Sequence, residues 1–446
     1  MSQGLALVLL VVGSYLAAHV VFDYLARKLI IVSGAEYLLL GILLGPNVSG
    51  LIDTAFLQNI APASALALGW MGAITGSRYR LLEMVRIPAV IYRVAFAESF
   101  ITLVVVGGLQ FFLLQWLFGL SPDRAAAPAV ALGAFATLTG FAGIEIAARR
   151  FRGRGTIVTA LRSTTGANAF VAICTFGVLV AAGHPANAAL SRPITPTEWT
   201  VITIALGMVG GALYHLFLGD ETRIDRIFIS LGGILILVSG AATYLRLSPV
   251  MAGMFFGMTL INTSTNRKAI STALFRIERP LYFVLLIFAG ASWRPSAQGV
   301  WLLPVLLFIV ARAITKLGGA RLAARLNDLL PALGPDWGRA LLGQGGLIIA
   351  LAVNYLYQDT LALPNIVFTT AVISVLLTDF LSGRFAASVI APVARTIRSR
   401  VETVLPGAPP PPSVEPAAPQ RDGESPVATP PAATTNAGSS ARTETT

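Results

Sequence analysis

The chain has 446 residues, of which 55% are hydrophobic and only 12% charged, with a mean hydropathy of +0.75. Soluble domains carry about 25% charged residues, and apolar runs near twenty residues, long enough to cross about 30 Å of hydrocarbon, recur throughout. These figures exclude a soluble helical protein, and the net charge of +11 reads as loop charge that orients membrane spans, with no nucleic-acid partner.

Thirteen spans are predicted, near residues 4–23, 34–52, 62–77, 88–119, 126–148, 155–182, 197–219, 227–246, 248–263, 280–293, 299–319, 338–358 and 363–385. The ninth and tenth are short for a bilayer. The first is not an ordinary signal peptide, because its basic residues, Arg27 and Lys28, follow the apolar run. After about residue 405 the text turns to Pro, Ala, Ser and Thr, so residues 405–446 are expected to form a disordered cytoplasmic tail.

Basic residues alternate between loops. Arg27/Lys28, Arg78/Arg80/Arg86, Arg149/Arg150/Arg152/Arg154, Arg223/Arg226, Arg267/Lys268/Arg276, Arg321/Arg325/Arg339 and Arg384/Arg395/Arg398/Arg400 fall on one side. Only Arg124, Arg192, Arg246 and Arg294 fall on the other. The positive-inside rule then places the N-terminus outside and the C-terminus in the cytoplasm, in an inner or plasma membrane.

The sequence also echoes itself. Gly41 and Gly45 in "LLGILLGPNVSG" match Gly253 and Gly257 in "VMAGMFFGMTLINTS", both pairs 212 residues apart. The same offset roughly superposes spans 4, 5 and 6 on spans 11, 12 and 13. The expected layout is a first repeat over 1–183, a linker helix over 197–219 and a second repeat over 227–390, together one transmembrane domain over 1–390. A single linker span inverts the second repeat, a mark of secondary transporters with a midplane site.

Chemistry-bearing motifs are few. Cys174 is alone, and His19, His184 and His215 make no ligand pattern, so neither a metal nor a cofactor is expected. No nucleophile–base set or phosphate loop points to an enzyme.

Four stretches carry a family resemblance. "EYLLLGILLGPNVSGLI" (Glu36 to Ile52) resembles the second span of the monovalent cation:proton antiporter superfamily, which includes sodium/hydrogen exchangers and potassium-efflux antiporters. "LSPVMAGMFFGMTLINTS" (Leu247 to Ser264), "ERPLYFVLLIFAGASWRP" (Glu278 to Pro295) and "GQGGLIIALAVNYL" (Gly343 to Leu356) resemble the ninth, tenth and twelfth. The resemblance runs from about residue 5 to 390. It implies an all-α polytopic fold with a dimer-forming scaffold of spans 1–3 and 8–10 and a core of spans 4–6 and 11–13. Spans 5 and 12 would break at mid-membrane and cross. "FATLTGFAG" (Phe135 to Gly143) and "GQGG" (Gly343 to Gly346) put glycines and hydroxyls where such breaks would fall. The implied partners are monovalent cations, protons, the lipid bilayer and a second copy of the chain.

One departure stands out. The family places an aspartate in the middle of span 6, where it binds cation and proton in turn. By pattern that position falls on Asn168, after Ala167, and an amide takes up no proton. The glutamate of the potassium-type "GGE" motif is also absent, since Gly346 and Leu347 follow Gly345. Asn168, Thr137, Thr139, Ser163, Thr164, Thr165 and Gln344 remain as candidate oxygen ligands. Arg162, Arg312 and Glu98 are candidate charge partners, with Glu98 as substitute proton carrier and Arg312 as counter-charge. Lys316, Glu145 and Asp379 read as snorkelling or capping groups near the cytoplasmic surface. A site biased positive by Arg162 and Arg312 also admits an anion transporter on the same scaffold. A third reading is a transport-inactive relative serving as sensor or partner-binding protein, whose sign would be a sealed apolar core with both arginines saturated by backbone.

Overall fold

Among its described residues this computed structural model is built of helices without strands; it describes residues 35–151, 155–185, 194–219, 221, 223–294, 299–358 and 360–404. The predicted span at 4–23 and the tail from 405 lie outside them. We label the helices α1 (Ala35–Leu44), α2 (Thr54–Ser77), α3 (Ala89–Phe118), α4 (Pro122–Thr137), α5 (Phe141–Arg150), α6 (Thr156–Ala182), α7 (Pro196–Leu218), α8 (Ile224–Tyr244), α9 (Pro249–Thr263), α10 (Arg267–Arg276) and α11 (Glu278–Ser292). Then follow α12 (Leu302–Ile314), a π turn (Thr315–Gly319), α13 (Ala320–Leu326), a 3-10 turn (Trp337–Leu341), α14 (Leu347–Leu356) and α15 (Pro364–Val404).

Six of the described helical segments are long and apolar enough to cross a bilayer, or seven if the two parts of α15 count as one span. Their outward faces carry large apolar side chains that an aqueous surface would not tolerate in such number, among them Phe112, Trp116, Leu216, Phe217 and Ile229, each at least 71% exposed. Hydrocarbon is the solvent that suits them, so the chain is an integral membrane protein. By contrast α14 is apolar apart from Asn354 and enclosed over most of its length, with Ile348 to Val353 at 0% exposure. The enclosed core runs through α4, α6, α14 and α15.

Close helix approach follows the glycines. A side chain on Gly41 would run into the Ile287 carbonyl, one on Gly45 would lie 2.9 Å from the Ala291 carbonyl, and one on Gly290 would strike the Leu38 carbonyl, so α1 lies tight against α11. Gly253, Gly257 and Gly72 make the matching set against the carbonyls of Gly69, Ala73 and Val250, pressing α9 against α2. The two sets correspond pairwise. Positions in α1 and α9 differ by 212, and positions in α2 and α11 differ by 218. Each pair thus joins one of the predicted spans 34–52 and 248–263 to one of the predicted spans 280–293 and 62–77.

Several predicted boundaries change. The span at 299–319 continues through its π turn to Leu326. The span at 126–148 stops at Thr137 and restarts at Phe141. The span at 338–358 is a 3-10 turn, a non-helical Leu342–Gly346 and the ten-residue α14. The span at 363–385 runs on as α15 to Val404.

Candidate functional site: two crossed helix breaks

The breaks after α4 and before α14 meet. The Gly140 N–H donates to Gly343 O at 2.8 Å. Gly345 has φ +74°, a left-handed conformation that suits only glycine here, and a Cβ on it would lie 2.8 Å from Gly140 Cα. Gly345→Ala therefore adds backbone strain to a clash, and is expected to lower stability by about 2 kcal/mol or more. Thermal unfolding in detergent checks this, with Gly108→Ala as control, because a Cβ there meets nothing within 4 Å.

Non-helical backbone inside a bilayer must find partners for its carbonyls, and Arg312 supplies them. Its Nε donates to Ala136 O (3.1 Å), Nη1 to Leu342 O (2.6 Å), and Nη2 to Leu138 O (2.8 Å) and Leu341 O (3.3 Å). One guanidinium thus closes the C-terminal end of α4 and of the 3-10 turn, both negative dipole ends. The opposite sign is met at the start of α14, where the Asp379 carboxylate accepts from the N–H groups of Gln344 (3.1 Å) and Gly345 (2.9 Å).

One turn beyond Arg312, Lys316 lies in the π turn. Its Nζ donates to Thr137 O at 2.7 Å and pairs with Glu98 Oε1 at 2.8 Å, and both side chains are 0% exposed. Thr102 Oγ1 donates to the same carboxylate oxygen at 3.0 Å, while Glu98 Oε2 has no protein partner. Ser99, the next residue along α3, belongs to a separate network around Asn168. Ser99 Oγ donates to Asn168 Oδ1, and Asn168 Nδ2 donates to Thr139 Oγ1 at 3.0 Å. Thr139 Oγ1 in turn donates to Leu341 O at 3.3 Å, and Thr137 Oγ1 lies 3.3 Å from Asn168 O.

The other candidates fall into three groups. Gln344 Oε1 accepts from Thr378 Oγ1 at 3.2 Å and its Nε2 is buried without a partner, as is Thr164 Oγ1. Thr165 bonds back to Leu161 O in its own helix, and Ser163 is half-buried on the same helix. Arg162 turns away to Glu145 (2.9 Å), half-exposed, and shares no described bond with the Arg312 cluster. The charge at the crossing is therefore balanced, two cations (Arg312, Lys316) against two carboxylates (Glu98, Asp379). An arginine-biased site does not describe it.

Four participants escape a reading of the sequence: Lys316, Asp379, Ser99 and Thr102. Lys316 had a signal, its i,i+4 spacing from Arg312. Its depth had none, because the expected end of the span at 319 is overrun by seven residues of helix, about 10 Å.

This helical membrane protein thus brings two broken helices together at a buried charge cluster. The chain shares its fold with the sodium proton antiporter MjNhaP1 from Methanocaldococcus jannaschii, solved at pH 8, with a TM-score of 0.64 and 18% identity over 89% of this chain and 98% of that one. An electron-microscopy map of the same antiporter gives a TM-score of 0.59 at 18% identity, over 90% and 99% of the two chains. No family model and no curated protein matches the chain in sequence.

Proposed function

We propose that this protein is a secondary transporter that exchanges a monovalent cation, sodium or potassium, for protons by alternating access. The observation that carries the reading is the buried Glu98–Lys316 pair beside the crossed breaks. Glu98 keeps one carboxylate oxygen unbonded. A carboxylate held so can be an anion paired with Lys316 or a neutral acid, and the change of charge is what couples a proton to a cation. Asn168, Thr137, Thr139 and Gln344 offer carbonyl and hydroxyl oxygens to a cation but no proton site. The proton and the cation would thus occupy neighbouring groups, with Arg312 and Asp379 fixing the backbone around them. The matched glycine contacts support two inverted repeats; the alternation of basic loops favours an outside N-terminus and a cytoplasmic C-terminus, and a homodimer is what the family resemblance implies. The two-against-two charge balance speaks against an anion as cargo.

A second reading has its own observation. Four of the five Arg312 N–H donors go to backbone carbonyls, which approaches the saturation expected of a transport-inactive relative. Arg162 is not so held, and the crossing is polar.

Reconstitution in vesicles under an imposed pH gradient separates the readings. Proton movement is expected on adding sodium or potassium, and Glu98→Gln is expected to abolish it. Movement answering only chloride would favour an anion transporter, and no movement with any ion the inactive relative. Normal exchange by Glu98→Gln would remove Glu98 from the mechanism.

A further inference from the structure

We propose that His184 is a second proton-binding site, outside the crossing, whose protonated form clasps α6 to the α8–α9 junction. The ring nitrogens set the argument. Nδ1 lies 3.0 Å from Pro185 O and Nε2 lies 3.0 Å from Leu245 O. Carbonyl oxygens only accept, so both bonds exist together only when both nitrogens carry hydrogen, that is, in the imidazolium. In the neutral ring one nitrogen turns a lone pair toward a carbonyl oxygen.

Two further features define the ring's surroundings. His184 follows the C-cap of α6, its own N–H bonding back to Ala181 O, and Leu245 is the C-cap of α8. It therefore sits at the negative ends of two helices. The ring also stacks on Trp199 of α7, with centroids 3.9 Å apart and planes 20° apart, an arrangement that attracts a cation to the indole face. The Leu245 carbonyl is held outward by its own backbone. Arg246 takes a left-handed φ of 53°, and Leu247 N–H returns to Ala242 O at 2.8 Å.

The clasp has a place to act. His184 lines a cavity of about 750 Å³ between the ends of α6, α8 and α14 and the first half of α2. Asn354 and Ser239, also on its wall, each keep a buried side-chain oxygen without a partner. This is the end of α6 away from the Arg149–Arg150 turn. Among the described residues, the charged and titratable groups on the elements around the ring are Glu198 beside Trp199, Arg246 beside Leu245, and Tyr244 and Tyr357 along the cavity. Glu198 caps its own helix through Thr195 N (2.8 Å) and Oγ1 (3.1 Å). His184 alone among them carries both contacts that change with its proton. Because α6 carries Asn168, a proton at His184 fixes the helix of the crossing against the α8–α9 junction, and its loss frees that end.

The test is a distance that does not depend on transport. Spin labels at Ala182→Cys and Tyr244→Cys, both exposed positions, are placed in a Cys174→Ser background and read by pulsed EPR. At about pH 5.5 a single narrow distance is expected, and at about pH 8.5, above the ordinary imidazole range, a broader or longer one. His184→Gln should lose the narrow peak at both pH values, and His184→Arg, a permanent cation with several donors, should keep it at both. A wild-type distribution identical at the two pH values, or a pH response that survives in His184→Gln, would overturn the proposal. A transport arm rests on the function proposed above: His184→Arg should hold exchange at its acid rate at about pH 8.5. If no ion moves in vesicles while the distances respond as expected, the transport reading fails and the proton site stands.

Discussion

Lys316→Met is expected to abolish cation-driven proton movement and to lower stability by about 3–5 kcal/mol, the usual cost of stripping the partner from a fully enclosed charge. The size follows from the surroundings. Glu98 and Lys316 are both 0% exposed, and the carboxylate has no other cation in bonding range, only Thr102. Removing the ammonium leaves an anion in a low-dielectric interior and also strips Thr137 O of its donor. The double variant Glu98→Gln/Lys316→Met should regain most of the lost stability, because a neutral pair costs little to enclose, yet remain inactive. Unfolding in detergent and the vesicle assay, run on the four proteins of the cycle, read the two effects separately. If Lys316→Met unfolds like the parent, the pair is not what holds α3 to the π turn. If the double variant still exchanges ions, protons do not travel on this pair.

Arg312→Leu should be worse still. Four carbonyls at two broken helix ends would lose their donors at once, and each orphaned group costs about 1–3 kcal/mol. The chain is expected not to accumulate in a folded, monodisperse form. Arg312→Lys is the more informative variant. It keeps the charge but replaces a planar fork with a point donor, and an ammonium does not reach carbonyls from both breaks in the guanidinium's geometry. A folded protein less stable by about 2–4 kcal/mol and severely impaired in exchange is expected. Size-exclusion profiles and thermal unfolding report the first effect, and vesicle fluxes the second. An Arg312→Lys protein of parental stability would mean that the carbonyls find water or other donors.

How much of this the sequence discloses depends on the range of the interaction. The breaks are legible because they are local. Thr137, Thr139 and Gly140 in one stretch and Gly343, Gly345 and Gly346 in the other oppose helix formation by themselves. The glycine echo is legible because tight packing leaves a mark at fixed spacing. Depth and partnership are not. Lys316 reads as a surface-reaching lysine until the helix is seen to continue to Leu326. Arg162 reads as an intramembrane charge until α5 is seen to bring Glu145 to it. Asp379 reads as a cap near the surface, and it is a cap, but for backbone 34 and 35 residues earlier in the chain. No periodicity encodes these pairings, because they arise only when helices distant in sequence are placed side by side.

The guanidinium that holds both breaks has a mechanical corollary. A single rigid plane is pinned to strands of chain that lie some 200 residues apart, and the backbone bond from Gly140 to Gly343 rivets them again. Neither half-helix can tilt alone without tearing this joint. If Asn168 is to face first one compartment and then the other, α4, α12 and the start of α14 have to be carried as a single solid piece, with the hinge elsewhere in the molecule.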